Sequence, residues 1–156
     1  MKSNFLNIVL YEPEIPQNTG NIARLCACLG AKLYLVGRLG FSLSDKYLKR
    51  AGLDYWDKLD FEQIESLEEL IQKNPDSRFF YFTTKTDRVY TNIEFIQGDF
   101  LVFGPETRGI PEDILESNKN SCLTIPMKKV TRSLNLSNSV AIAAYEALRQ
   151  FNVRLE

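Results

Sequence analysis

The chain has 156 residues, with 19 Lys and Arg against 20 Asp and Glu and no histidine, for a formal net charge of −1. That length suits one domain with a real core, and the near-neutral charge means that any polyanionic partner must be met by local basic patches. The missing histidine removes the commonest general base and metal ligand, and Cys26, Cys28 and Cys122, an odd count without paired Cys-x-x-Cys spacing, argue against a disulfide framework or a zinc site. No segment approaches the ~18 apolar residues of a membrane span, and the start of the chain lacks a charged-then-apolar signal pattern, so a reduced cytoplasmic setting is the expectation.

In chain order, short apolar runs over 7–11, 32–36, 78–83, 100–103 and 122–125 predict strands of a largely buried sheet. Helical patterns alternate with them. The first covers 21–29 and stops at Gly30, with Cys26 and Cys28 expected in the core; the second covers 45–50 behind an N-cap at Ser44. A third, over 66–73, ends before Pro75, and Pro111 opens a fourth. The last runs over 139–151, with Val140, Ala144, Leu148 and Phe151 at helical spacing and Ala141 and Tyr145 widening the apolar face. The alternation predicts an α/β fold with a mostly parallel sheet flanked by helices, in one domain over 1–156. No repeat or linker divides the chain.

Ligands of parallel sheets gather beyond the carboxyl ends of the strands, and three loops there are unusual. The first strand leads into Glu12-Pro13-Glu14-Ile15-Pro16-Gln17-Asn18-Thr19-Gly20-Asn21, and the fourth into Gly104-Pro105-Glu106-Thr107-Arg108-Gly109, whose glycines permit close approach of a ligand or positive φ. The fifth leads through Ile125-Pro126-Met127 to Ser133, Asn135, Ser137, Asn138 and Ser139. Such side chains favour turns and helix N-caps, and a helix N-terminus leaves backbone N–H groups for a ligand. Neither a Gly-x-Gly-x-x-Gly fingerprint after the first strand nor a phosphate-binding Gly-Lys-Ser/Thr loop is present.

Asn18-Thr19-Gly20-Asn21-Ile22-Ala23-Arg24, Phe103-Gly104-Pro105-Glu106-Thr107-Arg108-Gly109, and Ile125-Pro126-Met127 with Ser133-Leu134-Asn135-Leu136-Ser137-Asn138 resemble the three motifs of the SPOUT superfamily of RNA methyltransferases. Within it, the runs 7–16 and 50–55 look like the minimal YibK/TrmL type, which methylates the 2′-hydroxyl of a tRNA wobble cytidine or uridine. The resemblance implies S-adenosylmethionine as donor, tRNA as acceptor, an obligate homodimer, no metal, no separate RNA-binding domain, and a deep C-terminal trefoil knot that the ordinary rule against knots would not predict. Another tRNA position, ribosomal RNA, or cofactor sensing without turnover are the alternatives.

By the same resemblance Phe82, Gly104, Ile125 and Ser133 contact the cofactor, and Met127 and Leu134 line its slot; Phe82 suits a core equally well. Arg24 approaches the acceptor ribose and its phosphate. A guanidinium stays protonated below a pKa of ~12, so Arg24 reads as a clamp and positioner before a base. Asn18, Glu106 and Asn135, with Ser133, fill the other polar motif positions. Asn18 and Asn135 are candidate catalytic residues that hold the acceptor ribose or brace Arg24. Glu106 is equally suited to a catalytic role and to organising the knot by accepting backbone N–H bonds. Lys49, Arg50, Arg108 and Arg132, with Lys46, Lys85, Arg88, Lys128 and Lys129, are candidate phosphate contacts or a solvated charged face.

Overall fold

Six short strands pair into one sheet. The computed structural model describes residues 5–52 and 56–155; its strands are β1 (Leu6–Tyr11), β2 (Lys32–Val36), β3 (Phe61–Ile64), β4 (Phe79–Phe82), β5 (Asp99–Phe103) and β6 (Cys122–Leu123). They lie in the order β3-β2-β1-β5-β4-β6, and every pairing is parallel. Register is in step at the centre: Ile8 lies beside Leu33 on one side and Leu101 on the other. The helices are α1 (Pro16–Leu29), α2 (Lys46–Gly52), α3 (Leu67–Lys73), α4 (Glu112–Ser117) and α5 (Leu136–Phe151).

Alternate residues of each strand serve opposite faces, which is why a sheet covered on both sides needs continuous apolar runs. Leu6, Ile8, Leu10, Leu33, Leu35, Leu101 and Phe103 meet Ile22, Cys26 and Leu29 of α1 and Val140, Ala143, Ala144 and Ala147 of α5. Val9, Tyr34, Val36, Phe100 and Val102 form the other layer with Ile64, Leu67, Leu70 and Leu115. Asn7 is buried between neighbours, its amide donating to the Gly98 carbonyl at 3.1 Å.

Several boundaries differ from the sequence expectations, each for a local reason. β3 was not expected: two of its four residues, Glu62 and Gln63, are polar, and it sits at the sheet edge, where Lys32 pairs with Glu62 at 3.0 Å. The helix expected over 21–29 begins at Pro16, where the missing N–H costs nothing, and ends at Gly30 with φ 71° as expected. Asp45, not Ser44, caps α2, accepting from Tyr47 N at 2.8 Å. Ser66 caps α3 through Glu69 N. Cys28 is exposed, unlike buried Cys26, whose thiol burial pushes up. The buried face of α5 is rotated from the expected one: Ala143 and Ala147 join Val140 and Ala144 inside, while Tyr145 points outward and is 50 % exposed. Leu53, Asp54 and Tyr55 of the run 50–55 lie outside the described residues.

Candidate active site

The loops after β1, β4, β5 and β6 enclose a cleft of about 880 Å³ at the carboxyl end of the sheet, beside the N-terminus of α5. Phe82, Gly104, Ile125, Met127, Ser133 and Leu134 all line it, as do Asn18, Glu106, Asn135, Arg108 and Arg132. Phe82 also stacks on Phe103, with ring centroids 4.7 Å apart, so it serves core and wall together.

The cleft owes its shape to a reciprocal clasp between two loops. Glu106 accepts from the backbone N–H groups of Glu14 and Ile15, both at 2.8 Å, which lie just ahead of α1 where no side-chain cap is present. Glu14 returns the arrangement, accepting from Thr107 N at 2.9 Å and Thr107 Oγ1 at 2.7 Å. Those two donors, the backbone N–H foremost, hold the Glu14 carboxyl below its usual range. Glu106 Oε2 also accepts from Asn18 Nδ2 at 3.2 Å, and Asn18 Oδ1 accepts from Asn135 Nδ2 at 3.2 Å. Asn135 Oδ1 in turn caps α5, accepting from Asn138 N at 3.2 Å and Ser137 Oγ at 2.6 Å. Glu106, Asn18 and Asn135 thus form one chain of hydrogen bonds tying all three motif loops together. Glu12, at φ 47°, adds a further tie: Oε2 accepts from Arg38 N, and Oε1 pairs with Arg108 at 3.5 Å.

Gly104 has a different reason to be glycine from the one expected. A Cβ there would lie 2.3 Å from Ile110 N and 2.4 Å from the Gly109 carbonyl carbon, because the loop folds back on itself with Gly109 N donating to the Pro105 carbonyl. The close approach is made by the chain's own backbone. Gly109, at φ 70° with open space at its Cβ, answers the need for positive φ.

The cations do not all gather at the cleft. Lys85, Arg108 and Arg132 line the cleft, Lys85 paired with Glu112, while Lys128 and Lys129 are exposed on the adjoining loop. Arg88 instead donates to the Asn120 carbonyl. Lys46, Lys49 and Arg50 are exposed on α2, which packs against α1, and Arg24 is exposed on α1; none of these four lines the cleft. Glu14, Thr107 and Glu12 were not anticipated as site-forming, since their partners lie up to 93 positions away and leave no local pattern. Among the described residues, no group of three or more Cys, Asp and Glu side chains converges as a metal site, and no helix is long and apolar enough to cross a membrane.

Comparison with known proteins gives a consistent picture. A tRNA (cytidine(34)-2'-O)-methyltransferase from Methylovorus glucosotrophus is 51% identical over 92% of this chain and 94% of its own length. The protein of that name from Escherichia coli K12 is 45% identical over 93% of each chain. A solved structure described as giving "Structural insights into the 2-OH methylation of C/U34 on tRNA" superposes with a TM-score of 0.91 at 45% identity, covering 98% of this chain and 100% of the other. Residues 5–145 match the model of the SpoU rRNA Methylase family, and the chain belongs to that family.

Proposed function

We propose that the chain transfers a methyl group from S-adenosylmethionine to the 2′-hydroxyl of the wobble nucleotide, cytidine or uridine 34, of a tRNA in the cytoplasm. The observation that carries this reading is the convergence of three motif loops on one cleft, in a chain whose relatives of that name match it over nearly its whole length. The cleft fits the donor in size and chemistry: Phe82, Ile125, Met127 and Leu134 supply apolar walls for adenine, and Ser133 and Thr83 supply hydroxyls. When bound, S-adenosylmethionine supplies a methyl group on a positively charged sulfur that leaves as a neutral thioether.

This chain's own residues bind and orient. Glu106, Asn18 and Asn135 are engaged in holding the loops, which makes them positioning residues. Lys85, Arg108 and Arg132 make the mouth of the cleft attractive to phosphate. Arg24 lies outside the cleft of its own subunit, and a two-fold homodimer supplies the guanidinium of one subunit to the cleft of the other. There it clamps the phosphate and aligns the ribose hydroxyl, whose proton passes to a phosphate oxygen or water. The outward-facing Ile142 and Tyr145 of α5 offer the apolar patch such pairing needs. RNA recognition falls to this domain's own basic loops. The implied trefoil knot belongs to the same proposal, supported by the family to which residues 5–145 belong.

The test incubates the protein and donor with total tRNA from its own cells and locates the new methyl group by nuclease digestion and mass spectrometry. Methylation of the wobble ribose is expected. A methyl group confined to another nucleotide would overturn the assignment of substrate, and none at all would overturn the activity.

A further inference from the structure

The loop between Met127 and Arg132, both of which line the cleft, is a tight turn: Thr131 N and Thr131 Oγ1 both donate to the Lys128 carbonyl, at 3.2 and 2.9 Å. Lys129 and Val130 therefore occupy its two central positions. Turns of this kind favour Gly, Asn, Asp, Ser or Pro, each for a conformational reason that valine does not share. Val130 is also 90 % exposed, whereas Ile96, the next most exposed large apolar side chain described, is at 51 %. Single exposed apolar residues are ordinary on protein surfaces. This one stands at the tip of a cleft-side turn flanked by Lys128, Lys129 and Arg132, and it contributes neither to the core nor to the turn.

The charge around it selects the occupant. Three cations within five positions repel a cationic partner surface and attract a polyanion. Among polyanions, a duplex presents phosphates and groove edges but hides its base faces in the stack. An unpaired loop presents phosphates together with apolar base faces. We propose that Val130 packs on the face of an unpaired nucleobase next to the acceptor nucleotide while Lys128, Lys129 and Arg132 take the adjoining phosphates, so that this turn selects single-stranded RNA loops over duplex. The inference rests on the RNA 2′-O-methyltransferase reading above and names a contact for it.

Apolar and ionic contacts are separable by salt. Only phosphate contacts release counterions, so only they set the slope of log affinity against log salt. The experiment measures binding of an anticodon stem-loop and of a blunt RNA duplex to the intact protein and to Val130→Ser, Val130→Phe and Lys129→Ser, with methyl transfer by the unaltered protein run alongside. Val130→Ser is expected to weaken stem-loop binding about 3- to 10-fold, the worth of roughly half a valine's burial, at unchanged salt slope. Val130→Phe should restore or tighten it, and duplex binding should respond to neither. Lys129→Ser should flatten the slope by about one.

Unchanged stem-loop affinity in Val130→Ser, or an equal loss on duplex, overturns the proposal even when methyl transfer by the unaltered protein is normal. A rise in the dimer dissociation constant in Val130→Ser would mean that a second copy covers the side chain, and would overturn it too. Failure of methyl transfer in the unaltered protein instead strikes the parent reading. Both substituted positions, Lys129 and Val130, are solvent-exposed, so folding is not at stake.

Discussion

Glu14 and Glu106 show how much a single carboxylate does when it serves backbone donors on another loop. Because two Thr107 donors favour its ionised form, the Glu14 carboxyl titrates lower in the folded chain than in the unfolded one. Its contribution to stability is therefore full above the unfolded carboxylate range and is lost as pH falls through the depressed folded value. In urea titrations, Glu14→Gln should be less stable than the unaltered chain at pH 7, and the two should converge as pH falls below the ordinary carboxylate range. A gap that persists in acid would assign the effect to packing. Arg24, by contrast, is the residue proposed to clamp and align the acceptor. Arg24→Ala should lower single-turnover methyl transfer at saturating donor by at least ~100-fold, the scale of losing a group that orients or stabilises a reaction, with donor affinity nearly intact. Near-normal turnover would make Arg24 a structural residue.

At the scale of elements, the loop over 104–110 carries a sharper test than any single contact. Gly104→Ala must push the Ile110 amide and Gly109 carbonyl aside, so its cost should reach or exceed the ~1–3 kcal/mol of an overpacked core, with donor binding lost along with the loop. Gly109→Ala meets no atom and pays only for its positive φ, about 1 kcal/mol. Equal costs in denaturant melts would contradict the folded-back geometry. The contrast also marks what a sequence can disclose. Gly30 and Ser66 announce helix ends because a cap acts on its own helix, and the apolar runs at β1, β2 and β5 announce strands because both faces are buried. The start of α1 does not announce itself, since the carboxylate that holds its entry, Glu106, is 91 positions from Ile15. Likewise Gly104 is recognisable as special from its motif, but the neighbour that requires glycine there is visible only in the folded loop. The six expected cofactor positions do meet in one cleft; Arg24 on α1 and Lys49 and Arg50 on α2 do not line it.

On the scale of the whole molecule, the parallel sheet is sealed on both faces by helices, and α5 leaves Ile142 and Tyr145 facing out at 38 % and 50 % exposure. If these make the two-fold contact, light scattering should give about twice the 17.9 kDa chain mass, and Tyr145→Asp should yield a folded monomer with greatly reduced methyl transfer. A fully active monomer would exclude a site shared between subunits. The chain of hydrogen bonds from Glu106 through Asn18 to Asn135 has a further consequence for biosynthesis. Asn18 and Asn135 are 117 positions apart, so a polypeptide still emerging from the ribosome can complete β1 to β5 without the residue that closes the cleft. At an elongation speed of about 5–20 residues per second, several seconds separate the appearance of the two asparagines. Until Asn135 has emerged the nascent chain lacks the residue that closes the cleft, so S-adenosylmethionine affinity is expected to appear only after β1 to β5 have all been made.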